Sequence, residues 1–114
     1  MVKIYHNPRC GKSRAGLKAV QDAGIEPEII KYLETTPNAG ELKDILGMLS
    51  MKPIELVRVK ESIWKDNFKG KDLSDDEIIV AMVENPKLIE RPIVVKGGKA
   101  ALGRPTENII NLLK

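Results

Sequence analysis

A chain of 114 residues is long enough to bury one core and too short for two of ordinary size, so residues 1–114 are expected to form a single domain. Apolar residues make up 42% and charged residues 31%, and no apolar run approaches membrane-spanning length, which argues against a disordered chain and against a transmembrane helix. Nineteen Lys and Arg against sixteen Asp and Glu leave a net charge of +3, but the cations are interspersed with acids and accompanied by one Trp, two Tyr and one Phe, too few for a base-stacking surface that would read nucleic acid.

The chain enters a strand pattern at once, with Val2-Lys3-Ile4-Tyr5 alternating apolar and polar, which leaves no room for a signal peptide. Asn7-Pro8 breaks that strand, and Ala15, Leu17, Ala19, Val20 and Ala23 then mark a helix ending at Gly24, a residue suited to the left-handed position after a helix. Pro27–Tyr32 reads as a second strand, and strand, helix, strand within about thirty residues is a βαβ unit with parallel strands. Asn38 is placed to cap a helix in which Leu42, Ile45, Leu46 and Leu49 share one face. Pro53 suits the first turn of another helix, expected to run through Ile54, Leu56 and Val57 toward Ile63 and Trp64. Gly70 marks a loop, and Ser74-Asp75-Asp76-Glu77 is a capping-box pattern that opens a helix through Ile78, Ile79, Met82 and Val83, closed before Pro86. After Arg91-Pro92 the period returns to two: Ile93–Val95 and Ala100–Leu102 flank a glycine turn and predict a hairpin. A last helix is expected from near Pro105, carrying Ile109, Ile110 and Leu113. The order is βαβ, a central helical insertion, then ββα, an α/β chain with the order of a thioredoxin-like fold and a mixed four-stranded sheet.

The chemistry centres on Cys10, the one cysteine, at the carboxyl end of the first strand, where open α/β sheets place their ligands, and at the start of the first helix. There a thiol meets unpaired backbone N–H groups and the positive end of the helix dipole, with Arg9, Lys12 and Arg14 adding charge. Such settings lower a thiol pKa from about 8.5 to roughly 3.5–7.5, giving a nucleophilic thiolate at neutral pH. A buried structural cysteine is the competing reading, and the Arg and Gly neighbours are a poor setting for it. His6 is placed to assist the thiolate, and Gly11, Lys12 and Ser13 to present an anion cradle at the helix start. Arg58, Arg91 and Arg104 add planar forks suited to a tetrahedral oxyanion, Arg58 within the helix expected after Pro53 and the other two each preceding a proline. One histidine and one cysteine make no metal-ligand set, so no metal and no bound cofactor are expected. A lone cysteine cannot form an internal disulfide, which together with the missing signal peptide points to a reducing, cytoplasmic location.

The segments Tyr5-His6-Asn7-Pro8-Arg9-Cys10-Gly11-Lys12-Ser13-Arg14, Leu88-Ile89-Glu90-Arg91-Pro92-Ile93-Val94-Val95 and Gly103-Arg104-Pro105-Thr106-Glu107 resemble, in order and across nearly the whole chain, the glutaredoxin-coupled arsenate reductases. The resemblance implies that Cys10 attacks arsenate, that Arg58, Arg91 and Arg104 surround the anion, and that the Arg91-Pro92 peptide is cis. It further implies glutathione as co-substrate, glutaredoxin as partner, and a monomer that contacts neither membrane nor nucleic acid directly. Two other readings stay open: a glutathione-dependent thiol transferase or reductase acting on another acceptor, and a regulator of the Spx-like type that binds RNA polymerase. The regulators commonly carry a Cys-X-X-Cys switch, and here Ser13 stands at the second position, which disfavours a disulfide sensor.

Overall fold

A computed structural model describes residues 1–114. In chain order the elements are β1 (Val2–Tyr5), α1 (Gly11–Asp22), β2 (Glu28–Ile30), α2 (Ala39–Leu49), α3 (Pro53–Leu56), α4 (Ser62–Asn67), α5 (Asp75–Glu84), a 3-10 turn (Pro86–Leu88), β3 (Ile93–Lys96), β4 (Lys99–Leu102) and α6 (Glu107–Leu113). They form two compact units, one of Met1–Thr35 with Arg91–Lys114, the other Thr36–Glu90. None of the helices is long and apolar enough to cross a membrane.

The first unit is a mixed four-stranded sheet in the order β2-β1-β3-β4, the arrangement expected of a thioredoxin-like chain. β1 runs parallel to β2, with Lys3 opposite Glu28 and Tyr5 opposite Ile30, and antiparallel to β3, with Val2 opposite Lys96 and Tyr5 opposite Ile93. β3 and β4 are the expected hairpin, and its glycine turn has a positive φ of 62° at Gly97, the first loop position, which a side chain would strain. Val2, Ile4, Val20, Val94 and Ile109 make the buried core, with Leu17, Ile25, Leu112 and Leu113 packed at its margin. Ile4 is fully buried on the central β1, so truncation to Ala there costs about 2–5 kcal/mol. β2 is shorter than the expected Pro27–Tyr32, and at its far end the Glu34 and Thr35 N–H groups both bond the Lys31 carbonyl, drawing Tyr32 into a turn. The helix α6 starts at Glu107, two residues after Pro105.

The second unit is the helical insertion. Asn38 and Glu41 cap α2 reciprocally, as do Ser74 and Glu77 at α5; the local pattern foretold the cap at Asn38 and the full box at Ser74, while the return bond from Glu41 is additional. One expectation fails here: the helix from Pro53 to Trp64 is two short helices separated by an extended break, and Arg58 lies in the break instead of in a helix. Val57 pairs with Ile89 as an isolated antiparallel bridge, Arg58 N–H donates to the Leu88 carbonyl at 2.7 Å, and Glu90 N–H to the Leu56 carbonyl at 2.9 Å. The β-branched Val57 loses rotamer freedom in a helix and suits this extended pairing better. α4 then restarts the helix, with Trp64 stacked on Phe68 at a ring separation of 5.4 Å.

Candidate active site

Past Tyr5, the chain is folded into a tight loop by its own polar groups. The Asn7 carboxamide oxygen accepts from Arg9 N–H at 3.0 Å, and the Asn7 carbonyl accepts from Cys10 N–H at 3.0 Å. Ser13, fully buried one turn into α1, accepts the Asn7 N–H on its hydroxyl at 2.9 Å and hydrogen-bonds His6 Nδ1 at 2.7 Å. Arg14 Nη1 donates to the Pro8 carbonyl at 2.9 Å. These bonds hold Cys10 at the N-cap of α1 in an extended conformation.

The electrostatics around that thiol are one-sided. Burial raises the Cys10 pKa, yet the net effect is a lowering below the ordinary thiol value, because the Ser13 N–H, the Arg91 guanidinium and the Lys12 N–H all bind the anion. The first turn of α1 carries no Asp or Glu, so nothing in the helix answers its dipole before the thiolate does. Arg104 Nη2 stands 3.8 Å from Sγ, and Arg104 Nε donates to the Arg91 carbonyl at 2.8 Å, tying the two arginine-bearing segments together across 13 residues of sequence. Burial lowers the Arg91 pKa, but its bonds to Cys10 and Tyr32 turn the net shift upward. The Arg91 Nε is buried and has no hydrogen-bond partner.

Close packing behind the site sets where those arginines stand. A methyl group on Gly16 of α1 would lie 2.6 Å from Pro92 Cγ and 2.9 Å from Ile109 Cδ1, and one on Gly103 would lie 2.7 Å and 2.6 Å from the same two atoms. Gly103 N–H also donates to the Pro92 carbonyl at 2.8 Å. The residues immediately beyond this contact are Arg91 and Arg104, and both peptides to their following prolines are cis, at Pro92 as the resemblance implied and at Pro105 in addition.

The expected residues therefore divide. Cys10, Arg91 and Arg104 come together, with Lys12 and Ser13 contributing backbone N–H groups. The Ser13 hydroxyl is turned away to Asn7 and His6, so its side chain is a prop for the loop. His6 is buried, its pKa lowered by desolvation with Lys31 and Arg14 adding to the effect against the Ser13 bond, and its Nδ1 meets Ser13. Arg14 serves the loop through Pro8, Arg9 is exposed, and Gly11 has space for a methyl, its nearest neighbour being Arg14 Nη2 at 3.7 Å. Arg58 belongs to the helical unit, where Glu61 at 2.7 Å and Glu90 at 3.6 Å hold its guanidinium. Sequence reasoning missed Tyr32 against Arg91, the Gly16 and Gly103 contacts and the link between the two arginines. Only the repeated Arg-Pro pair hinted at that link.

The family profile described as the ArsC family matches residues 5–112. An uncharacterized protein of Escherichia coli strain K12, YfgD, is 50% identical over 114 residues, which is 98% of this chain and 96% of that protein. An arsenate reductase of Neisseria meningitidis serogroup A is 46% identical over 110 residues, covering 95% of this chain and 94% of the relative. Among solved structures, an arsenate reductase from Vibrio cholerae superposes with a TM-score of 0.92 at 47% identity, over 96% of this chain and 95% of its own.

Proposed function

The chain belongs to the ArsC family, and on that footing we propose that it is a thiol-dependent arsenate reductase whose nucleophile is Cys10. The observation that carries this reading is the meeting of two guanidinium groups on one thiol at a helix start. A thiol that only packs has no use for two cations, whereas a tetrahedral oxyanion needs them while it is attacked. The arsenate reductases among the relatives support the same substrate.

In the proposed first step the Cys10 thiolate attacks arsenic, an S–As bond forms, and one arsenate oxygen leaves as water. Arg91, Arg104 and the N–H groups of Gly11, Lys12 and Ser13 offset the charge gathered on the remaining oxygens. The chain has no second cysteine, so an external thiol must resolve the adduct. Glutathione attacks Cys10 Sγ; the S–S bond forms as the S–As bond breaks, and the electron pair stays on arsenic, which leaves as arsenite. Glutaredoxin then takes the glutathione from Cys10 by thiol–disulfide exchange. The resemblance assigns Arg58 to the same anion; the reading rests on Arg91 and Arg104, and Arg58 is kept as a residue to test.

The test is arsenate-dependent oxidation of glutathione, followed with glutaredoxin, glutathione reductase and NADPH. Cys10→Ser should abolish turnover, and Arg91→Ala should lower kcat/KM by about a hundred-fold, the scale of losing one positioned oxyanion donor. Arsenate turnover by the Cys10→Ser protein overturns the reading. So does thiol exchange that ignores arsenate and tolerates loss of Arg91, which would make the protein a thiol transferase.

A further inference from the structure

A cavity of about 210 Å³ is lined by His6, Asn7, Pro8, Arg9, Lys31, Leu33 and Glu34, the first four from the segment that leads to Cys10. Its walls are the loops that follow β1 and β2, two parallel strands, so it opens at their carboxyl ends, where open α/β sheets take ligands. Both walls are built. His6 N–H continues the strand pairing to the Ile30 carbonyl at 2.8 Å, the Lys31 carbonyl closes one turn, and Asn7 closes the other. Pro8 is two residues from Cys10, a chain span of at most about 7 Å.

The lining carries two cations, Arg9 and Lys31, one carboxylate, Glu34, and two apolar side chains, Pro8 and Leu33, the latter 40% exposed. That set is complementary to a zwitterionic amino-acid head: a carboxylate toward Arg9 and Lys31, an ammonium toward Glu34, and an aliphatic stem across Pro8 and Leu33. The volume suits a group of amino-acid size. We propose that this cavity is the docking site of the resolving thiol and holds the α-amino-acid head of a γ-glutamyl peptide thiol of the glutathione class, with the ligand sulfur delivered to Cys10. This rests on the reading above only for the choice of thiol. The same cavity serves a thiol transferase equally.

The test leaves out arsenate. Cys10 of the full-length protein is reacted with oxidised glutathione: its thiolate attacks one sulfur, a Cys10–glutathione disulfide forms, and a glutathione thiolate leaves. Bis(hydroxyethyl) disulfide, which has no charged head, is run in parallel, and adduct formation is followed by mass spectrometry. The ratio of the two rate constants should fall about three- to five-fold in Lys31→Ala and in Glu34→Gln, each exposed and each removing one solvent-accessible ion pair with the ligand. Glu34→Gln decides the matter. Charge steering alone would raise the ratio when a negative charge is removed, so a rise, or no change, overturns the docking site. A protein inert to arsenate that still shows both falls would lose the arsenate reading and keep this one.

Discussion

Arg104→Met tests how much of the Cys10 reactivity is bought by one guanidinium. At 3.8 Å, two unit charges attract by about 1 kcal/mol in a water-like medium and about 4 kcal/mol at an effective dielectric of 20. Cys10 and Arg104 are both partly exposed, which draws the figure toward the lower end, about 1–2 kcal/mol. At a pH below the thiol pKa, the thiolate fraction and hence the alkylation rate should fall by about five- to thirty-fold. The assay is iodoacetamide labelling of Cys10 across a pH series at low ionic strength, where the midpoint should move upward. Added salt should shrink the difference between variant and wild type. Arg104→Lys separates charge from shape: the labelling rate should recover most of the loss, while protection by arsenate stays weak because the fork and the Nε bond to the Arg91 carbonyl are gone. Wild-type labelling by Arg104→Met at every pH would refute the account of the site as an electrostatic one.

Two further outcomes follow from the same geometry. The Cys10 pKa lies below the ordinary thiol value in the folded chain, so between the folded and the ordinary value the unfolded state binds the extra proton and stability rises with pH. The contribution is complete above the ordinary thiol pKa and lost as pH falls through the folded value; urea midpoints should show the gap between wild type and Cys10→Ser widening with pH across that window. Gly16→Ala should cost about 1–3 kcal/mol by driving a methyl into Pro92 and Ile109, whereas Gly47→Ala, on an open face of α2, should add about 0.4–1 kcal/mol. Equal shifts in the two thermal unfolding curves would contradict the packing described around Pro92.

The elements legible in the sequence were those written in short-range patterns. The boxes Asn38–Glu41 and Ser74–Glu77 span three residues each, the Gly97-Gly98 turn is its own signal, and Cys10 ends up at the N-cap because Asn7-Pro8 stops the strand just before it. What escaped is tertiary. Ile54, Val57 and Arg58 fit a helical period, and only Ile89, more than thirty residues on, draws Val57 out into a bridge. The Arg104 bond to Arg91 and the stacking of Gly16, Pro92, Gly103 and Ile109 join segments that no local rule connects. The His6 ring is likewise set by a side chain seven residues on, its Nδ1 meeting the buried Ser13 hydroxyl.

The bare first turn of α1 has a mechanical side. α2, α3, α5 and α6 each open on an acid of their own, Glu41, Glu55, Asp75 to Glu77 and Glu107, and so complete themselves without help. α1 must borrow its counter-charge. A guest anion there finishes the helix as well as binding to it, so occupancy and stiffness rise as one quantity, and a carboxylate engineered at Lys12 would act as a tethered inhibitor that never diffuses away.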